Sequence, residues 1–254
     1  MNRIELFGCP MDVASMTETV EVIRNRIVAR QFTQHVVVNV AKLVHMQSDA
    51  QLAASVKECD IINIDGMGVV WGARALGFQV AERVAGVDLF DRLLEMAQAE
   101  GLPIFMLGGT DEVVKKAAGE VEEKYPRLHI AGVHHGYFWD DEQAIVDMIH
   151  ASGARLLFVA ITSPKKENFI NRYRADLGVD FVMGVGGTFD VVAGKVRRAP
   201  RWMQRAGLEW LFRVLQEPRR MWRRYWTTNR QFAWMLMRAR MRREGSKAVS
   251  TPAE

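Results

Sequence analysis

The sharpest chemical feature of this chain is a carboxylate set directly after a short apolar run: IINI is followed by Asp65 and Gly66. Three other apolar runs end in the same way. VVV leads to Asn39, IFML leads to Gly108-Gly109-Thr110, and FVMGVGGTFD carries Gly184, Gly186, Gly187 and Asp190. If these runs are strands of one parallel sheet, their carboxyl ends share an edge, and ligands bind beyond that edge. A carboxylate there, partly withdrawn from water, can take a proton from an attacking hydroxyl. By position alone Asp65 reads first as the N-cap of a helix over 66–76 and second as such a base. The glycine pairs let backbone approach an anion, with amide groups of a following helix aimed at it, so Gly108-Gly109 and Gly186-Gly187 are candidates for holding a diphosphate. Neither pair forms a GxGxxG or GxxxxGK[ST] motif, and each alone reads equally as an ordinary tight turn.

Cations that could neutralise a diphosphate leaving group are Arg83, in AERVAG, and Lys165-Lys166. Taken singly they read as solvated surface charges. His134-His135-Gly136-Tyr137 could hydrogen-bond a phosphate or stack a base; the plainer reading is a half-exposed loop. Asp88, Asp91, Asp140 and Asp141 open or ride helices and read as structural. No HExxH, HxH or DxD is present, so the expectation is no metal and no cofactor. Cys9 and Cys59 sit in no CxxC or Cys/His cluster, which argues against zinc and a disulfide framework and fits a reducing compartment.

The elements that must position these residues alternate. Strands are expected over 3–7, 35–38, 61–64, 104–107, 129–133, 156–161 and 181–185, several of them continuous apolar runs of the kind covered on both faces. Amphipathic helices are expected over 16–29, 69–76, 88–100, 112–125, 141–150 and 165–176. This alternation predicts an α/β chain: a Rossmann-like, doubly wound, mostly parallel sheet with helices on both faces.

Charge divides the chain. Its net charge is +4, yet residues 195–243 carry 15 Lys or Arg against only two acids, Glu209 and Glu217, and five of the seven tryptophans. The remainder is acidic, at −9. The expected organisation is an α/β domain over 1–194, a basic Trp/Arg-rich helical appendage over 195–243 with its last helix from about 219 to 243, and a disordered tail over 244–254. The N-terminus lacks the apolar run of a signal peptide, and no stretch approaches about 18 consecutive apolar residues, so a bilayer span is not expected. Arg beside Trp at helical spacing can instead lie in a lipid headgroup layer, or pack on the body with Arg solvated.

Taken together and in order, GCPMDVASM, the VN of VVVNVAKLV, DGMGVVWGARALG, ERVAGVDLFDRL, FMLGG, HHGYF, SPKKENF and GVGGTFDVVAGKVRRAPRWMQRAGLEWLFRVLQEPRR resemble the WecG/TagA/CpsF glycosyltransferases from about Gly8 to Trp234. The resemblance implies a glycosyltransferase fold of the E type and an inverting enzyme that uses no metal. It would move N-acetylmannosamine or a related sugar from a UDP donor to a saccharide on undecaprenyl diphosphate, for cell-surface polysaccharide, at the cytoplasmic face of a bacterial membrane. It implies Asp65 as base and Asn39 and Arg83 as active-site polar groups, to which Lys166 adds a charge near the leaving group or the donor sugar. The nucleotide pocket would comprise Gly186, Gly187 and Asp190, to which Gly108, Gly109, Gly136, Tyr137 and Gly184 are added. Arg213, Arg220 and Arg223 carry over to an appendage that docks on an anionic membrane surface and closes over the site. Two departures bear on the donor: Lys166 stands where many members have Gln, and Val37 where many have Thr. Hexosyl or uronosyl transfer in exopolysaccharide assembly therefore fits as well. A homo-oligomer is left open.

Two rivals remain at this level. The basic tail could bind nucleic acid, although its confinement to one appendage on an acidic body argues for no nucleic-acid partner. Another nucleotide-dependent enzyme, such as an oxidoreductase, could use the same fold, although the missing GxGxxG argues against it.

Overall fold

The computed structural model describes residues 1–242 together with the pair Ala248–Val249, the side chains of Arg220, Arg224, Arg242 and that pair excepted. The chain opens with an antiparallel hairpin, β1 (Asn2–Leu6) and β2 (Cys9–Val13), followed by α1 (Met16–Val28). Then come β3 (Thr33–Val38), α2 (Val40–His45), α3 (Ala50–Lys57), β4 (Ile61–Ile64), α4 (Met67–Ala75) and α5 (Gly86–Glu100). Next are β5 (Ile104–Gly108), α6 (Asp111–Lys124), β6 (Ile130–His134), α7 (Glu142–Ala151), β7 (Leu156–Ala160), α8 (Lys165–Tyr173) and β8 (Phe181–Gly184). The C-terminal part holds α9 (Thr188–Val192), α10 (Arg201–Arg205), α11 (Glu209–Gln216), α12 (Pro218–Arg242) and the short β9 (Ala248–Val249).

The sheet runs β6-β5-β7-β8-β3-β4-β2-β1-β9. From β6 to β2 every pairing is parallel; β1 and β9 close one edge antiparallel. Alternate residues of one strand feed different cores. Ile104 and Met106 of β5 pack with α1, α5, α6 and α9, whereas Phe105 and Leu107 pack with α7 and α8. Val36, Val38, Ile62 and Ile64 share a third cluster with α2, α3 and α4. Both faces are covered, as a parallel sheet requires, and the expected doubly wound α/β fold is the one observed.

Besides the short α9 and β9, three elements escaped the sequence pattern. β2 is interrupted by Pro10 and Asp12, and neither reads as strand. Asp12 is nevertheless buried, because its carboxylate binds Arg3 Nε and Nη2 at 2.8 Å and the Ile62 backbone N–H at 2.8 Å. The others, α2 and α3, are one to two turns long and start on side-chain caps from Asn39 and Asp49. Elsewhere the boundaries differ from expectation by a few residues.

The long basic helix α12 packs on the body. Phe232 is buried among the α2–α4 residues and lies against Gly72, where an added Cβ would come within 2.7 Å of the ring. Burying that one ring stabilises the contact by about 1.5–3 kcal/mol. The opposite side of the helix leaves Trp222, Trp226, Trp234, Met237 and Met241 exposed, with Trp222 and Trp226 stacked at 6.0 Å. Of the expected tail over 244–254, all but Ala248–Val249 lies outside the described residues; that pair hydrogen-bonds to β1.

Candidate active site

Because β6 to β2 are parallel, Asn39, Asp65, Gly108, Gly136 and Gly184 all fall at or just beyond the carboxyl edge. The connection after β8 leads to α9 on the α1, α5 and α6 face, and that after β3 leads to α2 on the α3 and α4 face, so the chain diverges to opposite faces of the sheet between the neighbours β8 and β3. A crevice opens at such a divergence.

Asp65 follows β4, the neighbour of β3, and is not a helix cap. The N-cap of α4 is Gly66, at φ 106°, and it makes no side-chain capping bond. That left-handed backbone turns the chain into the helix without using the Asp65 carboxylate, so the N-cap reading is corrected. The Asp65 N–H donates to Val38 O at 2.9 Å, tying β4 to β3. Its carboxylate faces the backbone N–H of Gly86, the first residue of α5. Val37 of β3 and Met183 of β8 line the same spot, both close to Gly86. Only 28% of the Asp65 side chain is open to solvent. Burial pushes its pKa above the usual carboxylate range; Arg83, Arg213 and the Gly86 N–H oppose that shift and Glu209 reinforces it. A carboxylate placed this way is a stronger base than a solvated one.

The Arg83 guanidinium lies 3.9 Å from Asp65 Oδ1 and 2.9 Å from Glu209 Oε2. Glu209 is brought here by Gly207, whose φ of 73° ends α10 and whose missing Cβ would fall 2.6 Å from Met67 Cγ. The appendage can therefore sit down on α4, and α11 opens over the site. Arg198 Nε stands 3.6 Å and Arg213 Nη2 3.9 Å from Glu209 Oε1. Arg198 is anchored in turn on Asp88 of α5, with one bond at 2.7 Å. Sequence reasoning passed over Glu209, Asp88 and Arg198. The available signal was that Glu209 is one of only two acids in a stretch of 15 bases.

The remaining expected residues divide. Asn39 lies beside Gly66 and caps α2, its Oδ1 accepting from the Lys42 N–H at 3.0 Å. Lys166 is buried beneath β8, its Cε 2.6 Å from where a Cβ on Gly184 would stand, so Gly184 has a packing reason. Its ammonium is 2.9 Å from Glu167 Oε1, and Lys42 reaches the same oxygen at 2.8 Å. Burial alone would raise the Glu167 pKa, but the two lysines outweigh it and hold it at about 2.

On the β5–β6 side, Gly108 is required by a close approach: a Cβ there would meet Ala160 O at 2.4 Å. The Gly136 N–H donates to Gly109 O at 2.9 Å, which fixes the His134–Tyr137 loop on the β5 turn. The Tyr137 ring is exposed, and Asp190 is half-exposed with Lys195 3.8 Å away. Gly186, at φ 55°, and Gly187 lead into α9. The first turn of α6 is acidic, with Asp111 and Glu112, which suits a base or ribose there better than a diphosphate. Arg213 reaches the Asp65 network, Arg223 is exposed on α12, and the Arg220 side chain lies outside the described residues. Among the described residues no three His, Cys, Asp or Glu side chains gather as a metal set. Two other concave regions, one along Phe90, Glu120 and Lys124 and one along Phe7, Gln47, Trp234 and Arg238, share no residue with the Asp65 network.

A doubly wound α/β sheet with a recessed carboxylate, glycine turns and a cation at its carboxyl edge defines the class as an enzyme acting on an anionic, nucleotide-like ligand. A comparison with protein families sharpens that: residues 4–246 match the model described as the glycosyl transferase WecG/TagA/CpsF family, and the chain belongs to that family. It is a glycosyltransferase, of a family that serves cell-surface polysaccharide synthesis using a nucleotide-sugar donor and a lipid-linked acceptor.

Proposed function

We propose that this enzyme transfers a sugar, N-acetylmannosamine or a related hexose or uronic acid, from its UDP donor to a saccharide on undecaprenyl diphosphate, with inversion and without a metal. The observation that carries the reading is Asp65: a recessed carboxylate free of capping duty, with an arginine 3.9 Å away and a helix N-terminus behind it. The acceptor hydroxyl oxygen attacks the anomeric carbon and passes its proton to Asp65. The bond from that carbon to the β-phosphate oxygen breaks, and the electron pair leaves with UDP. Attack opposite the leaving group inverts the centre. A base of this kind contributes about 10²–10⁴-fold. Arg83 and backbone N–H groups around Gly186-Gly187 meet the developing charge, each worth ~2–4 kcal/mol in a dry site. Tyr137 and Asp190, on the exposed rim, suit base stacking and a ribose hydroxyl.

Residues 195–243 act as a unit that docks on an anionic membrane surface from the cytoplasmic side. The exposed Trp202, Trp210, Trp222, Trp226 and Trp234 among arginines support this, and no helix among the described residues is long and apolar enough to cross a bilayer. Docking would close the site against water, which would otherwise hydrolyse the donor. The experiment is a screen of UDP-sugars with a short-chain prenyl-diphosphate saccharide, with and without chelator. Transfer that survives chelator and inverts the anomeric centre is expected; a requirement for Mn²⁺ or Mg²⁺, or a retained anomer, refutes the mechanism.

A further inference from the structure

We propose that Glu209 is a positioning residue delivered by the appendage: it draws the Arg83 guanidinium off Asp65, so that the carboxylate stays unneutralised and able to accept the acceptor's proton. The proposal rests on the reading of Asp65 as the base and extends it to the element that sets that base's strength.

Geometry carries the argument. Arg83 has two carboxylates within reach and hydrogen-bonds only one of them. It donates to Glu209 Oε2 at 2.9 Å, and its approach to Asp65 Oδ1, 3.9 Å, is too long for a hydrogen bond. Both partners are largely shielded, Arg83 at 16% and Glu209 at 13% exposure, so the competition is little screened by solvent. Were Glu209 absent, the guanidinium would have one carboxylate left to satisfy. A bidentate Arg–Asp pair there would occupy the lone pairs that the reaction needs and hold the proton affinity down. Glu209 also lends its own negative charge, which favours a proton on Asp65.

The charged groups facing Asp65 come from three directions. Arg83 approaches from the segment before α5; Glu209 and Arg213 approach from α11; the Gly86 N–H approaches from α5. β3 and β8 bring Val37 and Met183 beside Gly86 at the same spot. Glu209 is held by three arginines at once, Arg83, Arg198 and Arg213, and Arg198 is clamped to Asp88 of the body. The carboxylate of the appendage is thus locked into the body's charge lattice only when α11 is seated. Lifting α11 withdraws Glu209, returns Arg83 to Asp65 and weakens the base. An open site is then a poor catalyst of donor hydrolysis, and a seated one is competent for transfer.

The test uses the full chain. In Glu209→Gln, the acidic limb of kcat against pH moves to lower pH and the plateau falls by about tenfold or more. Glu209→Asp, which restores the charge one methylene short, recovers part of both and covers the case in which the Gln variant folds poorly. A merely structural loss would lower activity without moving the limb. A second readout does not depend on catalysis: the Asp65 side-chain carboxyl carbon is followed by NMR titration, assigned by its absence in Asp65→Asn. Glu209→Gln should titrate Asp65 at lower pH than the wild type. An unmoved or upward titration overturns the role given to Glu209. A downward titration with an acidic limb that ignores it leaves Glu209 as assigned and removes Asp65 as the base.

Discussion

Replacing Glu167 by Gln is predicted to cost about 3–5 kcal/mol, and the structure sets that size. Both Lys42 and Lys166 reach the same Glu167 oxygen, at 2.8 and 2.9 Å, and all three side chains are at least nine-tenths buried. The two ammonium nitrogens therefore lie within about 6 Å of each other; at an effective dielectric of about 20 their repulsion is near 3 kcal/mol once the carboxylate is gone. The pKa gives a matching figure. Glu167 falls from an ordinary 4.5 to about 2, which at 1.36 kcal/mol per unit is about 3 kcal/mol. Breaking a buried ion pair from one side costs about 3–5 kcal/mol in general, because an uncompensated charge is left behind. The sign of the pH dependence follows from the depressed value. The ionised group stabilises the fold at pH above its ordinary range, and the contribution disappears as pH falls from about 4.5 toward 2. Urea denaturation at pH 7 measures the loss. Adding Lys42→Met to Glu167→Gln should restore part of it, since the repulsion between the two buried ammonium groups is then removed. A loss under about 1 kcal/mol in the single variant would mean that the triad is solvated, and the reasoning fails.

Three further outcomes are expected. Asp65→Asn should keep UDP affinity, lose transfer by about 10²–10⁴-fold and gain stability at neutral pH. The gain follows because a raised native pKa makes the ionised form a cost that sets in above the ordinary carboxylate pKa and is complete above the native one; near-normal turnover in this variant contradicts the base role. Gly136→Ala puts a Cβ 3.1 Å from Gly108 Cα and 3.3 Å from Gly109 N. It should raise the donor KM while leaving the pH profile in place, and unchanged donor affinity would detach this loop from the nucleotide site. Trp222→Ala with Trp226→Ala should reduce retention on anionic liposomes at matched salt and leave the fold intact by circular dichroism; undiminished retention, or equal retention on duplex DNA, counts against a membrane-docking face.

The sequence by itself determined the fold class, because apolar runs such as IINI, IFML and LLFVAI are long enough for strands and too continuous for a one-sided sheet. It determined that the glycine turns and Asp65 share one edge, because parallel strands put all their carboxyl ends together. It also determined that the C-terminal part is chemically distinct, since charge and tryptophan content are properties of composition alone. What only the tertiary structure decided is which groups meet. The N-cap and base readings of Asp65 have the same local sequence, and they separate only because Gly66 takes a left-handed backbone and leaves the carboxylate to face Gly86 and Arg83. Lys166 reads as a surface cation, yet the glycine at position 184 leaves room beneath β8 for it to turn inward onto Glu167. Glu209 stands 126 residues from Arg83, and no periodicity or cap rule spans that distance. Local patterns report backbone preference and burial over a few turns of chain; a charge network is set by where distant segments are packed, and it exists only once the core has brought them together.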